Sequence, residues 1–409
     1  MKIWIISKYA SSSEVGFESR IFALARRFVK FGNTVNVISS DSNHFGKYPK
    51  YRKIYNHENI SGVDLHRIKT FKYTKTVSIK RILSWIDFEF KLFFLPTNKI
   101  EKPDVIIVSS LSLLTILNGF RFKKQFKAKL IFEIRDIWPL SATELGISKK
   151  NPFVFLLGII EKFGYKNSDL VVGTMPNLRE HINNILGSNK TNSVCVPFGF
   201  DLDYYNNLKI DSDLFRKKYN LPFHNFIIGY AGSVGHSNGL GSLIECAKFF
   251  SGDSRFMFFV LGDGDLKQKF VQETTGLKNI IFIDKVTKEE VASFLNLCDI
   301  LYFSSSKSEI WKYGWSPNKL IDYMMSTKPV LASYSGYQSM INEAKSGFFT
   351  PSEDSFELSN KIEGIYLLDK SDLNKIGLRG KEWLVKNRNW DVIALDYLEH
   401  MRKTLDFGK

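Results

Sequence analysis

The chain has 409 residues, 44% of them hydrophobic, and a formal net charge of +15. That length holds two domains, each with its own core, and the ordinary globular composition excludes a low-complexity or disordered chain. The charge calls for an anionic partner: nucleic acid, anionic lipid or a phosphorylated ligand.

The first segment, Met1-Lys2, leads straight into a strand at residues 3–7, so no signal peptide is expected. A polar loop with Ser11-Ser12-Ser13 and Gly16 follows. A helix then runs through Arg20, Ala23, Leu24, Phe28 and Val29, stops at Gly32-Asn33, and gives way to a strand at 35–38. This is a βαβ opening whose loop lies at the carboxyl end of the first strand, where open α/β sheets bind ligands. It contains no GxGxxG. Gly16 and Arg20 are either phosphate ligands or a loop glycine and an exposed arginine.

Residues 47–81 are basic and aromatic, with Lys50, Arg52, Lys53, Arg67, Lys69, Lys72, Lys75 and Lys80 among Tyr48, Tyr51, Tyr55, Phe71 and Tyr73. An amphipathic helix at 78–95 carries Trp85, Phe88, Phe90, Phe93 and Phe94. The combination suits an interfacial segment or a lipid-linked anion, or else a solvated face on a packed helix; no nucleic-acid-binding motif accompanies it. Strands are expected at 104–108, 130–134, 170–172 and 194–196, and helices at 111–122, 154–165 and 176–186. The apolar run at 152–160 is too short to span a bilayer. Arg135 and Asp136 follow the 130–134 strand, the position where charged residues become site candidates. Pro197-Phe198-Gly199-Phe200-Asp201 has the composition of a hinge.

A second α/β set begins with a strand at 226–230 and a glycine-spaced turn, Gly232, Gly235, His236 and Gly239, able to cradle phosphate. Further strands are expected at 256–261, 280–283, 300–303 and 330–332, helices near 288 and at 339–344, and a last helix at 390–405. Cys195, Cys246 and Cys298 stand apart in apolar contexts, as free thiols in a reducing compartment do.

The most informative stretch is Tyr313-Gly314-Trp315-Ser316-Pro317-Asn318-Lys319-Leu320-Ile321-Asp322-Tyr323-Met324. Ser316 reads as a helix N-cap and Pro317 as the first helical residue. A helix N-terminus attracts phosphate, and Lys319 in its first turn opposes the dipole unless an anion lies between them. The alternative is a Lys319–Asp322 pair on an ordinary capped helix.

Taken with Gly16 to Arg20, Phe132-Glu133-Ile134-Arg135-Asp136-Ile137-Trp138-Pro139 and Gly262-Asp263-Gly264, that stretch resembles the retaining, two-domain GT-B glycosyltransferases of family 4. The resemblance covers nearly the whole chain and is strongest to the bacterial surface-polysaccharide subfamily that includes L-fucosamine transferases. It implies an α/β protein of two Rossmann-like domains facing a cleft. Residues 1–200 would form the acceptor side and 201–386 the nucleotide-sugar domain, with 387–409 a helix crossing back to the first. It places Asp322 on the donor ribose, Val286 at the base, and Arg135-Asp136 beside the reacting sugar. Gly16, Arg20, Gly232, Gly235, His236, Tyr313, Gly314 and Asn318 complete the nucleotide-sugar contacts.

The chain departs from the family pattern at several points. Gly314 stands where the first glutamate of Glu-x7-Glu belongs, and Glu309 is out of register. Ser233 and Asn238 occupy the places of the arginine and lysine that clamp the diphosphate. We therefore expect the diphosphate between the Lys319 helix and the 232–239 turn, with Lys319 as its main cation and His236 either a second donor or a polar loop residue. Leu140 replaces a glutamate after Trp138-Pro139, and Phe198 an asparagine in the hinge.

The resemblance implies transfer, with retention, of a hexosyl or N-acetylhexosaminyl-type sugar from a UDP-linked donor. It implies as acceptor an undecaprenyl-diphosphate-linked saccharide of O-antigen, capsule or exopolysaccharide synthesis. No metal, cofactor or nucleic acid is implied, and the expected location is cytoplasmic, peripheral on the anionic inner face of the cell membrane. A sugar-nucleotide epimerase of the same fold and a non-enzymatic basic lipid- or nucleic-acid-binding protein are the alternatives.

Overall fold

Apolar runs rich in Ile, Val and Phe build two separate sheets, each assigned to its own unit. The computed structural model describes residues 1–43, 48–73, 78–110, 112–144, 146–188, 191–223 and 226–406. One unit comprises Met1–Gly199 with Trp390–Lys409, and the other Phe200–Asn389.

In chain order the first unit contains β1 (Lys2–Ile6), α1 (Arg20–Lys30), β2 (Thr34–Ser40), β3 (Tyr55–Ile60), β4 (Val63–Ile68), α2 (Ile79–Phe93), β5 (Val105–Ser109) and α3 (Thr115–Phe126). It continues through β6 (Lys129–Ile134), α4 (Leu140–Glu144), α5 (Pro152–Asn167), β7 (Leu170–Gly173), α6 (Leu178–Leu186) and β8 (Ser193–Cys195). The sheet order is β3-β4-β2-β1-β5-β6-β7-β8, parallel except for the β3–β4 hairpin at one edge. That hairpin lies inside the segment read only as basic and aromatic. Its turn, Ser61-Gly62, has φ of 52° and 81°, the backbone of a two-residue hairpin turn.

The second unit contains α7 (Leu202–Asn206), α8 (Ser212–Lys218), β9 (Phe226–Ala231), α9 (Gly241–Phe249), β10 (Phe256–Leu261), α10 (Lys267–Glu273), β11 (Ile280–Ile283) and α11 (Lys288–Leu297). Then come β12 (Ile300–Ser304), α12 (Asn318–Met325), β13 (Val330–Ser333), α13 (Met340–Ala344), β14 (Gly347–Thr350), α14 (Ser355–Tyr366) and α15 (Lys370–Asn387). Its sheet is parallel in the order β11-β10-β9-β12-β13-β14. Helix α14 was not expected, although Leu358, Ile362 and Ile365 recur at helical spacing and are buried. Helix α12 starts one residue later than Ser316 implied: Pro317, in extended conformation, takes the N-cap place, and Ser316 makes no capping bond.

After α15 the chain returns to the first unit as α16 (Trp390–Asp406). Ile393, Tyr397, Leu398 and Met401 of α16 join Ile21, Phe22 and Phe28 of α1 in one core with Ile3, Ile5, Val35 and Val37 of the sheet. Each such side chain contributes on the order of 1.5–3 kcal/mol by leaving water.

Within this core lies Arg20, and its position corrects the phosphate reading. Its side chain is fully enclosed, and its terminal nitrogens donate to the carbonyls of Pro197 and Val196 and approach Glu133 Oε2 at 3.4 Å. Arg20 therefore braces α1 to the end of β8. Buried ion pairs cost several kcal/mol when one partner is removed, because the other charge stays uncompensated. Arg20→Met is expected to destabilise the protein by roughly 3 kcal/mol or more, read as a lowered thermal midpoint, with nucleotide affinity unchanged in the protein that remains folded.

Candidate functional site

The second unit builds its site from two turns and one helix. Beyond β9 the chain turns through Gly232-Ser233-Val234-Gly235. Gly232 N–H donates to Leu261 O at 3.0 Å, Val234 N–H to Asp263 O at 2.9 Å, and Leu266 N–H to Val234 O at 3.0 Å. These bonds stitch the first turn to Gly262-Asp263-Gly264, the turn after β10. A Cβ on Gly262 would sit 1.8 Å from Gly232 O, so this close approach requires glycine. Gly235 then precedes a single 3-10 turn, His236–Asn238. Ser233 and His236 are exposed and Asn238 is buried.

The loop after β12 carries another 3-10 turn, Glu309–Tyr313, which ends at the buried Gly314. Trp311 and Trp315 stack with centroids 4.4 Å apart, and Trp315 lies 5.3 Å from Phe303. Tyr313 is buried in this wall. Glu309 points outward and pairs with Lys312, so it does not replace the absent glutamate.

Asn318 opens α12 and is exposed, while Lys319 turns inward. Lys319 Nζ donates to Asn238 Oδ1 at 2.6 Å and to Tyr230 Oη at 2.9 Å, and Tyr230 Oη donates to Ser233 O at 2.7 Å. The ammonium lies 4.8 Å from the Tyr230 ring centroid. A Cβ on Gly232 would come within 3.0 Å of Nζ, so glycine there leaves room for the lysine. Lys319 thus reaches from the first turn of α12 to the turn after β9, and the alternative reading, a Lys319–Asp322 surface pair, does not form. Burial lowers the Lys319 ammonium to about 8.

One helical turn on, Asp322 Oδ1 accepts from the Tyr205 hydroxyl of α7. Burial raises its carboxyl above the usual range, and both the Tyr205 bond and the Lys288 charge oppose that rise. Lys288 Nζ lies 4.6 Å from the Tyr204 ring and 5.8 Å from the Tyr205 ring. Val286 is half-buried two residues before it. The expected ribose and base positions are therefore neighbours within one unit.

In the first unit, Arg135 and Asp136 follow β6 directly. Arg135 N–H donates to Ser110 Oγ at 3.1 Å, and its guanidinium carbon lies 5.2 Å from the Phe198 ring. Arg20 meets the same ring at 5.3 Å. Asp136 is exposed, and desolvation by the surrounding protein nevertheless raises its carboxyl, against the Arg135 and Arg81 charges. Gly16 ends a 3-10 turn with φ 99° and is exposed.

The basic stretch is partly consumed by structure. Lys72 Nζ pairs with Asp41 at 2.6 Å, and Arg67 is buried against Glu58. Lys47 and Lys75 lie outside the described residues. Among the described residues no three His, Cys, Asp or Glu side chains converge to hold a metal. Sequence reasoning missed Tyr230, Tyr205 and Lys288. The only signals were a tyrosine closing an otherwise apolar strand and a Tyr-Tyr pair after the hinge.

Residues 225–367, within the second unit, match the family model described as glycosyl transferases group 1. No curated protein matches. Among solved structures, sucrose-phosphate synthase from Thermosynechococcus elongatus is 18% identical with a TM-score of 0.72, covering 98% of each chain. The Escherichia coli trehalose-6-phosphate protein bound with UDP-2-fluoro glucose is 9% identical with a TM-score of 0.73, covering 98% of this chain and 99% of that one. HepE of Anabaena in complex with UDP is 15% identical with a TM-score of 0.66, covering 98% of this chain and all of that one. The two-unit α/β architecture with parallel sheets is the GT-B fold.

If Lys319 meets phosphate, Lys319→Met weakens nucleoside diphosphate far more than free nucleoside, and calorimetry on both ligands measures the ratio. The wild-type ammonium is charged at pH 7 and loses its proton as pH rises through about 8. A bound anion favours the charged form, so diphosphate affinity falls between pH 7 and 9.5 in the wild type. In Lys319→Met that decline is absent.

Proposed function

We propose that this group 1 glycosyltransferase moves a sugar, with retention, from a UDP-linked donor to a hydroxyl of a lipid-linked saccharide. The observation that carries the reading is the inward Lys319, held by Asn238 and Tyr230 over the Gly232 turn at the start of α12. The bond between the anomeric carbon and the donor phosphate breaks as the bond to the acceptor oxygen forms. The acceptor proton passes to the departing phosphate. Lys319 and the first N–H groups of α12 stabilise the growing negative charge, and one such donor is worth about 10²–10³ in turnover. Asp322, fixed by Tyr205, accepts from the ribose hydroxyls. HepE of Anabaena in complex with UDP-glucose supports the choice of nucleotide.

The lipid-linked acceptor is supported by two helices of the first unit. Helix α2 buries Ser84, Phe88 and Leu92 and exposes Ile79, Ile82, Leu83, Ile86, Phe90, Phe93 and Phe94. Helix α5 exposes Phe153, Phe155, Leu156 and Ile159. The acids of these helices turn inward: Asp87 binds Lys91, Glu89 bonds to α3, and Glu161 bonds to His181. Apolar rows edged by Lys80, Lys149 and Lys150, all exposed, suit an anionic bilayer surface. No helix among the described residues is long and apolar enough to cross a membrane.

The test is a panel of UDP- and GDP-sugars in ligand-detected NMR, followed by product analysis with a lipid-linked acceptor. A retained glycoside formed only with acceptor supports the reading; an epimerised donor without acceptor, or no nucleotide-sugar binding, sinks it. Arg135 and Asp136 are assigned to the chemical step in this scheme, so Asp136→Asn lowers turnover at least 100-fold more than donor affinity. Equal losses would make Asp136 a ground-state or structural residue. On anionic vesicles, Phe90→Asp with Phe94→Asp abolishes co-sedimentation and leaves UDP binding intact.

A further inference from the structure

The carboxyl end of β1 in the first unit holds polar groups that the scheme above does not use. Lys8, two residues past the strand, is 1% exposed. Its Nζ donates to Ser42 O at 3.3 Å and otherwise faces the rings of Tyr9 and Tyr73 at 5.2 and 5.5 Å. No carboxylate among the described residues pairs with it. Asp41 is held by Lys72 at 2.6 Å and by Thr70 N–H at 2.9 Å. Glu89 accepts from Ser112 Oγ at 3.1 Å, Thr115 Oγ1 and Asn118 Nδ2 at 2.9 Å. An enclosed ammonium with one long bond is costly unless something else neutralises it.

The same loop repeats the pattern. Ser7 and Ser12 have enclosed hydroxyls with no hydrogen-bond partner among the described residues, and the enclosed Ser11 hydroxyl has only the Tyr48 hydroxyl beside it. Buried polar groups are ordinarily paired, so a cluster of unpaired ones around a cation marks a place shaped for an added acceptor of hydrogen bonds. The open side is formed by α2. Arg81 Nε donates to Tyr9 Oη at 3.2 Å, Trp85 Nε1 donates to the same oxygen, and both side chains are half-exposed. The guanidinium carbon of Arg81 lies 5.1 Å from the Trp85 ring. Burial lowers the Lys8 ammonium to about 7; Asp41 and Glu89 oppose this, while Arg81 and Lys72 add to it. An anion bound beside it would hold the proton.

We propose that Lys8, Arg81 and Trp85, with Ser11 and Ser12, form the site for the phosphate or diphosphate of the lipid-linked acceptor. The inference rests on the glycosyltransferase reading for the identity of the ligand, but the anion site stands on the residues alone. Helix α2 gives the two halves of such a molecule adjacent places. Its outward row of Ile79, Ile82, Leu83 and Ile86 meets the hydrocarbon. Its inward edge at Arg81 and Trp85 meets the headgroup one turn away.

The test uses the full chain, saturated with UDP so that the donor site is filled. Inorganic pyrophosphate and a short-chain prenyl diphosphate are titrated by calorimetry. Saturable binding of both is expected, the prenyl compound more tightly, with a loss of at least tenfold in Lys8→Met and in Arg81→Gln, each keeping wild-type UDP affinity. Two variants guard against one failing to fold. Affinity unchanged in both, or no pyrophosphate binding to a wild type that binds UDP, overturns the site. Binding of pyrophosphate with no added gain from the prenyl chain keeps the anion site and refutes the lipid source. A chain that binds pyrophosphate but not UDP keeps the site and fails the glycosyltransferase reading instead.

Discussion

The reach of Lys319 from the first turn of α12 to the turn after β9 is the constraint on which the second unit's site depends. A lysine near a helix N-terminus is unfavourable by itself, because its charge opposes the dipole. Here it is retained by Asn238 Oδ1 and Tyr230 Oη, and Gly232 leaves the space it occupies. The turn in its path is in turn pinned to Gly262-Asp263-Gly264 by backbone bonds. Two glycine turns, one tyrosine and one asparagine thus fix a single ammonium in this unit.

Buried charge occurs throughout this protein, and the state of its partners separates bracing from binding. Arg20 donates from its terminal nitrogens to two carbonyls and faces the Glu133 carboxylate, which offsets its charge, and it acts as a brace. Lys319 donates to neutral oxygens, which leaves its net charge available to an anion. Lys8 has still less, a single carbonyl at 3.3 Å. Arg20 and Lys8 are buried and Lys319 is half-buried, and the polarity of what surrounds each one distinguishes their roles.

Helix α2 carries both the exposed apolar row and the Arg81–Trp85 edge of the first unit. Its buried row, Ser84, Phe88 and Leu92, anchors it to the sheet, and Glu89 ties it to the start of α3. With those residues spent on packing, the remaining apolar side chains face outward. Phe90 and Phe94 then touch each other, with centroids 5.1 Å apart, rather than a core. A contiguous exposed apolar surface of this kind is what interaction sites present.

The sequence by itself determined the α/β class, most of the strands, and the importance of the stretch from Tyr313 to Met324. Those follow from local rules: apolar runs make buried strands, and Pro, Gly and capping residues punctuate helices. It also carried the two glycine turns, since glycine spacing is visible along the chain. The β3–β4 hairpin was hidden because the buried alternation of Val63 and Leu65 is continued by a charged residue, Arg67, among other basic and aromatic residues. Only the tertiary structure decided which charged residues are free to act. Arg20 and Lys319 look alike in sequence, each a cation near the start of a helix following a glycine. Arg20 met carbonyls from residues 196 and 197, and Lys319 met Tyr230 and Asn238 from residues more than 80 positions away. Whether a charge is neutralised depends on neighbours that the fold brings from distant parts of the chain, and no local pattern encodes that.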